Sequence, residues 1–160
     1  MVEQGQKKAN PQDKRVLLFD DDDSIRTMLQ RTLEAEGFQV KTGRDGRNIL
    51  PKALEFKPDL ILTDLMMPGG SGYEVLRILQ SDESTRSIPV FIMTGYTLDV
   101  STKQLLQQEP NVKYFLEKPI RPDDMLSRIH KTLGTLSREE KMVQDSQQNL
   151  PDRENLEGFF

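Results

Sequence analysis

The chain has 160 residues, no Cys, one His and a formal net charge of −4. That length suits one domain with a proper core, the lack of Cys excludes disulfides and thiol chemistry, and one His without Cys argues against a zinc site. The acidic balance argues against a general nucleic-acid binder; no stretch nears the ~20 apolar residues of a membrane span, and the polar N-terminus lacks the apolar core of a secretory signal, so a cytoplasmic protein is expected.

Residues 1–14 are polar, with Gly5, Pro11 and the adjacent Lys7 and Lys8, and read as a flexible arm. Five short apolar runs follow: RVLLF, FQVKT, DLILT, PVFIM and VKYFL. Their lengths suit strands.

Helical patterns lie between these runs. Ile25, Met28, Leu29 and Leu33 share one face, and Gly37 can cap the end. Ile49, Ala53 and Phe56 suggest a second helix, in which Pro51 must distort the helix or lie in its first turn. Tyr73, Leu76, Ile78 and Leu79 support a third helix, and Val100, Leu105 and Leu106 a fourth. Met125, Leu126, Ile129 and Leu133 give a fifth, introduced by Pro122 and Asp123.

Strand and helix alternate five times. That pattern predicts an α/β fold: a doubly wound parallel sheet of five strands with helices on both faces. The expected domain spans residues 15–134.

Residues 135–160 read as a polar tail. Ser137 and Glu140 form a capping-box pattern for a short helix to about Asn149. The tail is either solvated throughout or a docking segment anchored by Phe159 and Phe160.

The carboxylates carry the chemistry. VLLF runs straight into Asp20, Asp21, Asp22 and Asp23. Two unscreened carboxylates about 4 Å apart repel by roughly 4 kcal/mol at an effective dielectric near 20, so such a run needs a cation, spacing or solvent. Asp64 ends a second apolar run, just before a Pro/Gly-rich loop. In a parallel sheet, Asp20, Asp21 and Asp64 converge at the carboxyl edge, where such sheets bind ligands. Three oxygen-donor acids suit Mg²⁺. Thr94 and Lys118 end two further strands. A hydroxyl and an ammonium beside a metal–carboxylate cluster suit phosphoryl transfer, in which a carboxylate can serve as nucleophile.

These segments resemble the receiver domain of two-component response regulators. VLLFDDDDSIR is similar to the family's first strand with its acidic pair, and LILTDLMMPGGSGYEVL to its phosphoacceptor segment. IPVFIMTG resembles the Thr/Ser strand, and YFLEKP the Lys-Pro strand. The likeness covers about residues 14–134.

The resemblance implies a flavodoxin-like sheet of order 2-1-3-4-5 and phosphorylation of Asp64. It implies Mg²⁺ held by Asp20, Asp21, Asp64 and the Met66 backbone carbonyl. Thr94 and Lys118 would contact the phosphoryl group, Lys118–Pro119 would be a cis peptide bond, and Phe115 would be an aromatic switch following Thr94. Asp22 and Asp23 would then be solvated first-turn or capping residues. The donor would be a histidine kinase or a His-containing phosphotransfer protein.

The expected protein is a stand-alone signalling receiver. It catalyses its own phosphorylation and slow dephosphorylation but is not a turnover enzyme. Output would run through a downstream protein target reached by the face of helix 4, strand 5 and helix 5. Neither nucleic acid nor a membrane span is expected, and a phosphorylation-dependent homodimer stays open.

Met66 and Tyr96 occupy positions where the family varies; both are bulky and are expected to obstruct the attacking water. Gly95 replaces a small side chain, and Ser71 stands where the family often has Asp.

Other readings fit these residues less well. LLFDDDDS also resembles the nucleophile motif of haloacid-dehalogenase-type phosphatases, with Asp20 as nucleophile and Asp22 as acid, but Asp64 then has no role. A calcium loop from Asp20 lacks the glycine its sixth position requires, where Ile25 stands. A non-phosphorylated scaffold with a receiver fold is a third reading, and the retention of every chemical group argues against it.

Overall fold

The computed structural model describes residues 6–95 and 98–149. Five strands form one parallel sheet: β1 (Arg15–Phe19), β2 (Gln39–Gly43), β3 (Leu60–Asp64), β4 (Val90–Thr94) and β5 (Val112–Glu117). Their order is β2-β1-β3-β4-β5, as the alternation and the resemblance predict. Helices α1 (Asp23–Glu36), α2 (Ile49–Phe56), α3 (Gly72–Ser81), α4 (Val100–Gln107) and α5 (Pro122–Leu133) connect and flank them, and α6 (Arg138–Gln148) follows.

The central strands β3 and β4 are buried along their whole length, and β1 from Val16 onward. Each apolar side chain taken fully out of water contributes about 1.5–3 kcal/mol, which holds these strand ends firmly in place.

Strand alternation splits the core in two. Val16, Leu18, Leu60, Leu62, Phe91 and Met93 pack with Leu29 and Leu33 of α1 and Met125 and Ile129 of α5. Leu17, Phe19, Ile61, Val90 and Ile92 pack with Ala53 of α2, Leu76 of α3 and Leu106 of α4.

Edge strand β5 carries an irregularity. Val112 pairs with Val90, but Tyr114 pairs with Phe91, so Lys113 is an extra residue. Past it Phe115 opposes Ile92 and Glu117 opposes Thr94. Val112 and Phe115 therefore both lie with the α2–α3–α4 core, whereas Tyr114 lies with the α1–α5 core.

The helix ends follow their caps. Asp22 accepts a hydrogen bond from the Ile25 N–H at 3.0 Å, and Asp23 opens the first turn of α1, where negative charge is favoured. Gly37 closes α1 at φ 113°, the left-handed region. Pro51 stands in the first turn of α2, where its missing N–H costs no helix bond.

Four residues expected on core faces are exposed: Met28, Ile78, Val100 and Leu105. In each case another residue of the same stripe fills the core, Leu29 in α1, Leu79 in α3 and Leu106 in α4.

The loop after β3 holds a small antiparallel pair, Met66–Met67 with Gly70–Ser71. Its turn sits against the β2–α2 connection: the Gly46 N–H donates to the Pro68 carbonyl at 3.0 Å. Gly69 is left-handed at φ 89°, and a β-carbon there would fall 2.0 Å from Asp45 Oδ1. Only glycine meets both conditions.

Both flanks of the domain contact it. In the stretch expected to be a flexible arm, residues 6–14 carry a 3-10 turn at Pro11–Asp13, capped by Asn10, with Pro11 buried. Ala9 bridges Thr135, with its N–H donating to the Gly134 carbonyl at 2.8 Å. Helix α6 has the expected capping box: Ser137 Oγ accepts the Glu140 N–H, and Glu140 accepts the Ser137 N–H. Glu36 Oε1 accepts the Arg138 N–H at 2.8 Å and lies 2.7 Å from His130 Nε2. Helix α6 buries no residue. Phe159 and Phe160 lie outside the described residues.

Candidate functional site

The site forms where β1, β3, β4 and β5 end. Asp20 follows β1, Asp64 ends β3, Thr94 ends β4 and Lys118 follows β5. Asp20 is fully buried and Asp64 and Thr94 nearly so, while Asp21 is exposed.

Lys118 joins two strands through its ammonium. Nζ lies 2.7 Å from Asp20 Oδ2 and 2.9 Å from Asp64 Oδ2. Its backbone N–H also donates to the Thr94 carbonyl at 2.8 Å, which ties the Lys118–Pro119 segment to β4. The Lys118–Pro119 peptide bond is cis. Asp20 Oδ1 accepts the Asp22 N–H at 2.9 Å, and Asp64 Oδ1 accepts the Met66 N–H at 3.2 Å.

The charges are unevenly shared. Burial pushes the Asp64 carboxyl above the usual carboxylate range, against the hydrogen bonds from Lys118 and Met66 that pull it down; the Asp20 charge adds to the rise. Burial pulls Lys118 down, but the carboxylates of Asp20 and Asp64 outweigh it and hold the ammonium above its ordinary value. The two shifts differ in origin: Lys118 gains from having two acids beside it, whereas burial is the main cause of the rise at Asp64, with the Asp20 charge a smaller one.

A divalent cation fits this deficit. One carboxylate oxygen each of Asp20, Asp21 and Asp64 lie within 4.8 Å of one another. Asp20 Oδ2 is buried and, although ion-paired with Lys118, is not aligned in a hydrogen bond. Hard oxygen donors of this kind suit Mg²⁺.

The structure thus brings Asp20, Asp21, Asp64 and Lys118 together, with Thr94 on the adjoining strand end. Phe115 lies farther down β5, half-buried against the second core and on the same sheet face as Thr94. Met66 is 62% exposed. Its side chain therefore covers little of the site in this arrangement. Tyr96 lies outside the described residues. Among the described residues, a β-carbon at Gly95 would meet only Lys118 Cδ, at 3.9 Å. Asp22 spends its carboxylate capping α1, which leaves it poorly placed for the acid role a phosphatase motif would need.

Two participants escaped the sequence reading. Arg26 reaches back from α1, donating to the Asp20 carbonyl at 2.9 Å and pairing with Asp23. Its i, i+3 spacing from Asp23 was the available signal. Lys103 of α4 places its ammonium over the Phe115 ring, and no periodicity announces such a contact.

Comparison with known proteins finds likenesses over most of the chain. A family model described as "Response regulator receiver domain" matches residues 16–130. The "DNA-binding response regulator MtrA" of Mycobacterium tuberculosis is 34% identical over 119 residues, 74% of this chain and 50% of that protein. The "Response regulator PleD" of Caulobacter vibrioides is 39% identical over 112 residues, 70% of this chain and 24% of that protein. The chain thus spans about half the length of MtrA and less of PleD. Among solved structures, the chemotaxis response regulator CheY4 of Vibrio cholerae superposes with a TM-score of 0.68 at 31% identity. That likeness covers 75% of this chain and 98% of that one.

Proposed function

The chain belongs to the response regulator receiver domain family, and from that premise we propose that Asp64 accepts a phosphoryl group and that the phosphorylated domain signals through contact with a protein partner. The observation that carries the proposal is Lys118, whose ammonium reaches Asp20 and Asp64 together at 2.7 and 2.9 Å.

In this reading an Asp64 carboxylate oxygen attacks phosphorus. The new O–P bond forms as the phosphorus–nitrogen bond of a donor phosphohistidine breaks, and the donor imidazole leaves. The donor is a histidine kinase or a His-containing phosphotransfer protein. Lys118 exchanges part of its contact with the two carboxylates for the phosphoryl oxygens, offsetting the charge that gathers there. Thr94 donates its hydroxyl to the same group. Asp20, Asp21, Asp64 and the Met66 carbonyl would hold Mg²⁺, which supplies neutralisation of the phosphoryl oxygens when bound.

The phosphoryl group carries about −1.5 to −2 charge. Drawing Thr94 and the following residues toward it vacates space that Phe115 fills, and the face of α4, β5 and α5 changes shape. This is a population shift driven by one new charge.

The test is phosphorylation with acetyl phosphate and Mg²⁺, read on gels that retard phosphoproteins. A retarded band from the native chain that is lost in Asp64→Asn and retained in Asp22→Asn supports the proposal. Labelling that survives Asp64→Asn ends it. Transfer profiling against purified histidine kinases then names the donor.

A further inference from the structure

We propose that Lys103 is a positioning residue for Phe115, holding the ring in its present half-buried arrangement and thereby opposing its movement when Asp64 is phosphorylated. The inference rests on the reading of Asp64 and Phe115 given above and concerns how that site is regulated.

The argument starts from β5. The bulge in β5 absorbs Lys113, so Phe115 keeps the face it shares with Ile92 and Thr94, and α4 packs over that face. Asp99 caps α4 through both carboxylate oxygens: Oδ1 accepts the Thr102 N–H at 2.7 Å and Oδ2 the Thr102 hydroxyl at 2.9 Å. The Lys103 N–H donates to the Asp99 carbonyl at 3.0 Å. The first turn of α4 is therefore well defined, and it places Lys103 Nζ 5.8 Å from the centroid of the Phe115 ring. That distance is within reach of the electrostatic attraction between a cation and an aromatic face.

The neighbouring ring shows the contrast. Tyr114, on the opposite face of β5, packs edge-on against buried Phe91 at 5.0 Å and has Arg128 at 4.9 Å. Tyr114 is thus held by a buried ring as well as by a cation. Phe115, like Tyr114, is only partly buried against its core, so a weak contact can bias its position. An inward swing of the ring withdraws its face from Lys103 and gives up that attraction. At an exposed, long-range contact the bias is about two-fold in the equilibrium between ring positions.

The experiment uses the full chain carrying ring-¹³C phenylalanine, with Phe115→Leu to assign the Phe115 signal. Lys103→Met keeps the aliphatic stem and removes the charge; Lys103→Arg keeps the charge. Without phosphodonor, Lys103→Met should move the Phe115 resonance part-way toward its position after acetyl phosphate and Mg²⁺, and Lys103→Arg should restore it. A Phe115 resonance that ignores Lys103→Met overturns the proposal, as does an equal displacement by Met and Arg, which would indicate stem packing alone. The Asp64 reading fails separately: the native chain would then gain no phosphoryl mass and show no donor-induced shift, while the donor-free comparison of Met with Arg would still decide the role of Lys103.

Discussion

The Lys118 ammonium lies 2.7 Å from the buried Asp20 Oδ2, so one cation already stands among the acids that would bind another. Lysine and metal compete for the same negative charge. Lys118→Met should therefore tighten Mg²⁺ binding about ten-fold, equivalent to ~1.4 kcal/mol, while abolishing the response to acetyl phosphate. Asp20→Asn should weaken Mg²⁺ binding by at least as much. Titration calorimetry on the purified chain checks both, and weaker Mg²⁺ binding in Lys118→Met would contradict the competition.

Asp45 offers a test by pH. Its side chain caps the 3-10 turn ahead of α2 and pairs with Arg47 at 2.6 Å. The hydrogen bond from the Arg47 side chain holds its carboxyl at about 2, below the ordinary aspartate range. A carboxyl depressed by folding stabilises the fold above its unfolded pKa and loses that contribution as pH falls through the folded one. Asp45→Asn keeps a good cap but loses the charge. The variant should melt below the native chain at pH 7, and the gap should close between about pH 4 and pH 2. A gap that persists at pH 2 would assign the effect to geometry.

Two glycines should answer alanine in opposite directions. At Gly95 a β-carbon meets nothing closer than 3.9 Å among the described residues, so Gly95→Ala should stabilise by about 0.4–1 kcal/mol through the unfolded chain. At Gly43 it would fall 2.3 Å from two carbons of the Phe19 ring. Phe19 is fully buried and cannot retreat, so Gly43→Ala should cost about 1–3 kcal/mol. Urea unfolding of the pair decides, and a destabilised Gly95→Ala would show that the loop after β4 needs glycine for another reason.

Helix α6 should unfold on its own. It buries no residue and depends on its capping box and on Glu36. Ser137→Ala removes one of these supports, worth about 1 kcal/mol to the helix. Hydrogen exchange in residues 138–148 should accelerate while the melting midpoint of the sheet domain stays unchanged. A matching fall in that midpoint would make α6 part of the cooperative core.

The sheet was legible because its strands are short, nearly continuous apolar runs between turn signals, and the chemical groups of the site stand where those runs stop. What escaped has physical reasons. Met28, Ile78, Val100 and Leu105 fit the helical stripes, but a stripe is wider than the contact its helix makes. Residues 7–13 look solvated because one buried proline, main-chain bonds of Ala9 to Gly134 and Leu136, the Gln12 carbonyl accepting from the Gln39 side chain and an exposed Lys8–Glu140 pair hold them, and such contacts leave no apolar pattern in the sequence. Arg26 and Lys103 act through directions their side chains take in space, and composition carries no direction. The paired Met66–Met67 and Gly70–Ser71 resembled an irregular loop because two-residue strands are too short to show alternation.

Lys113 has a consequence for what this chain can tolerate. As the odd residue in β5, it is taken up by a local kink and adds no rung to the ladder. Exchanging it for another polar side chain should pass unnoticed, and deleting it would leave Val112 opposite Val90 and Tyr114 opposite Phe91 as consecutive rungs, with Phe115 still opposite Ile92. One residue added between Tyr114 and Phe115 is a different matter, since it would slide Phe115, Leu116 and Glu117 a rung out of line with β4 and turn each to the other face. The link between Thr94 and Phe115 thus tolerates a residue lost at 113 but not one gained beyond it.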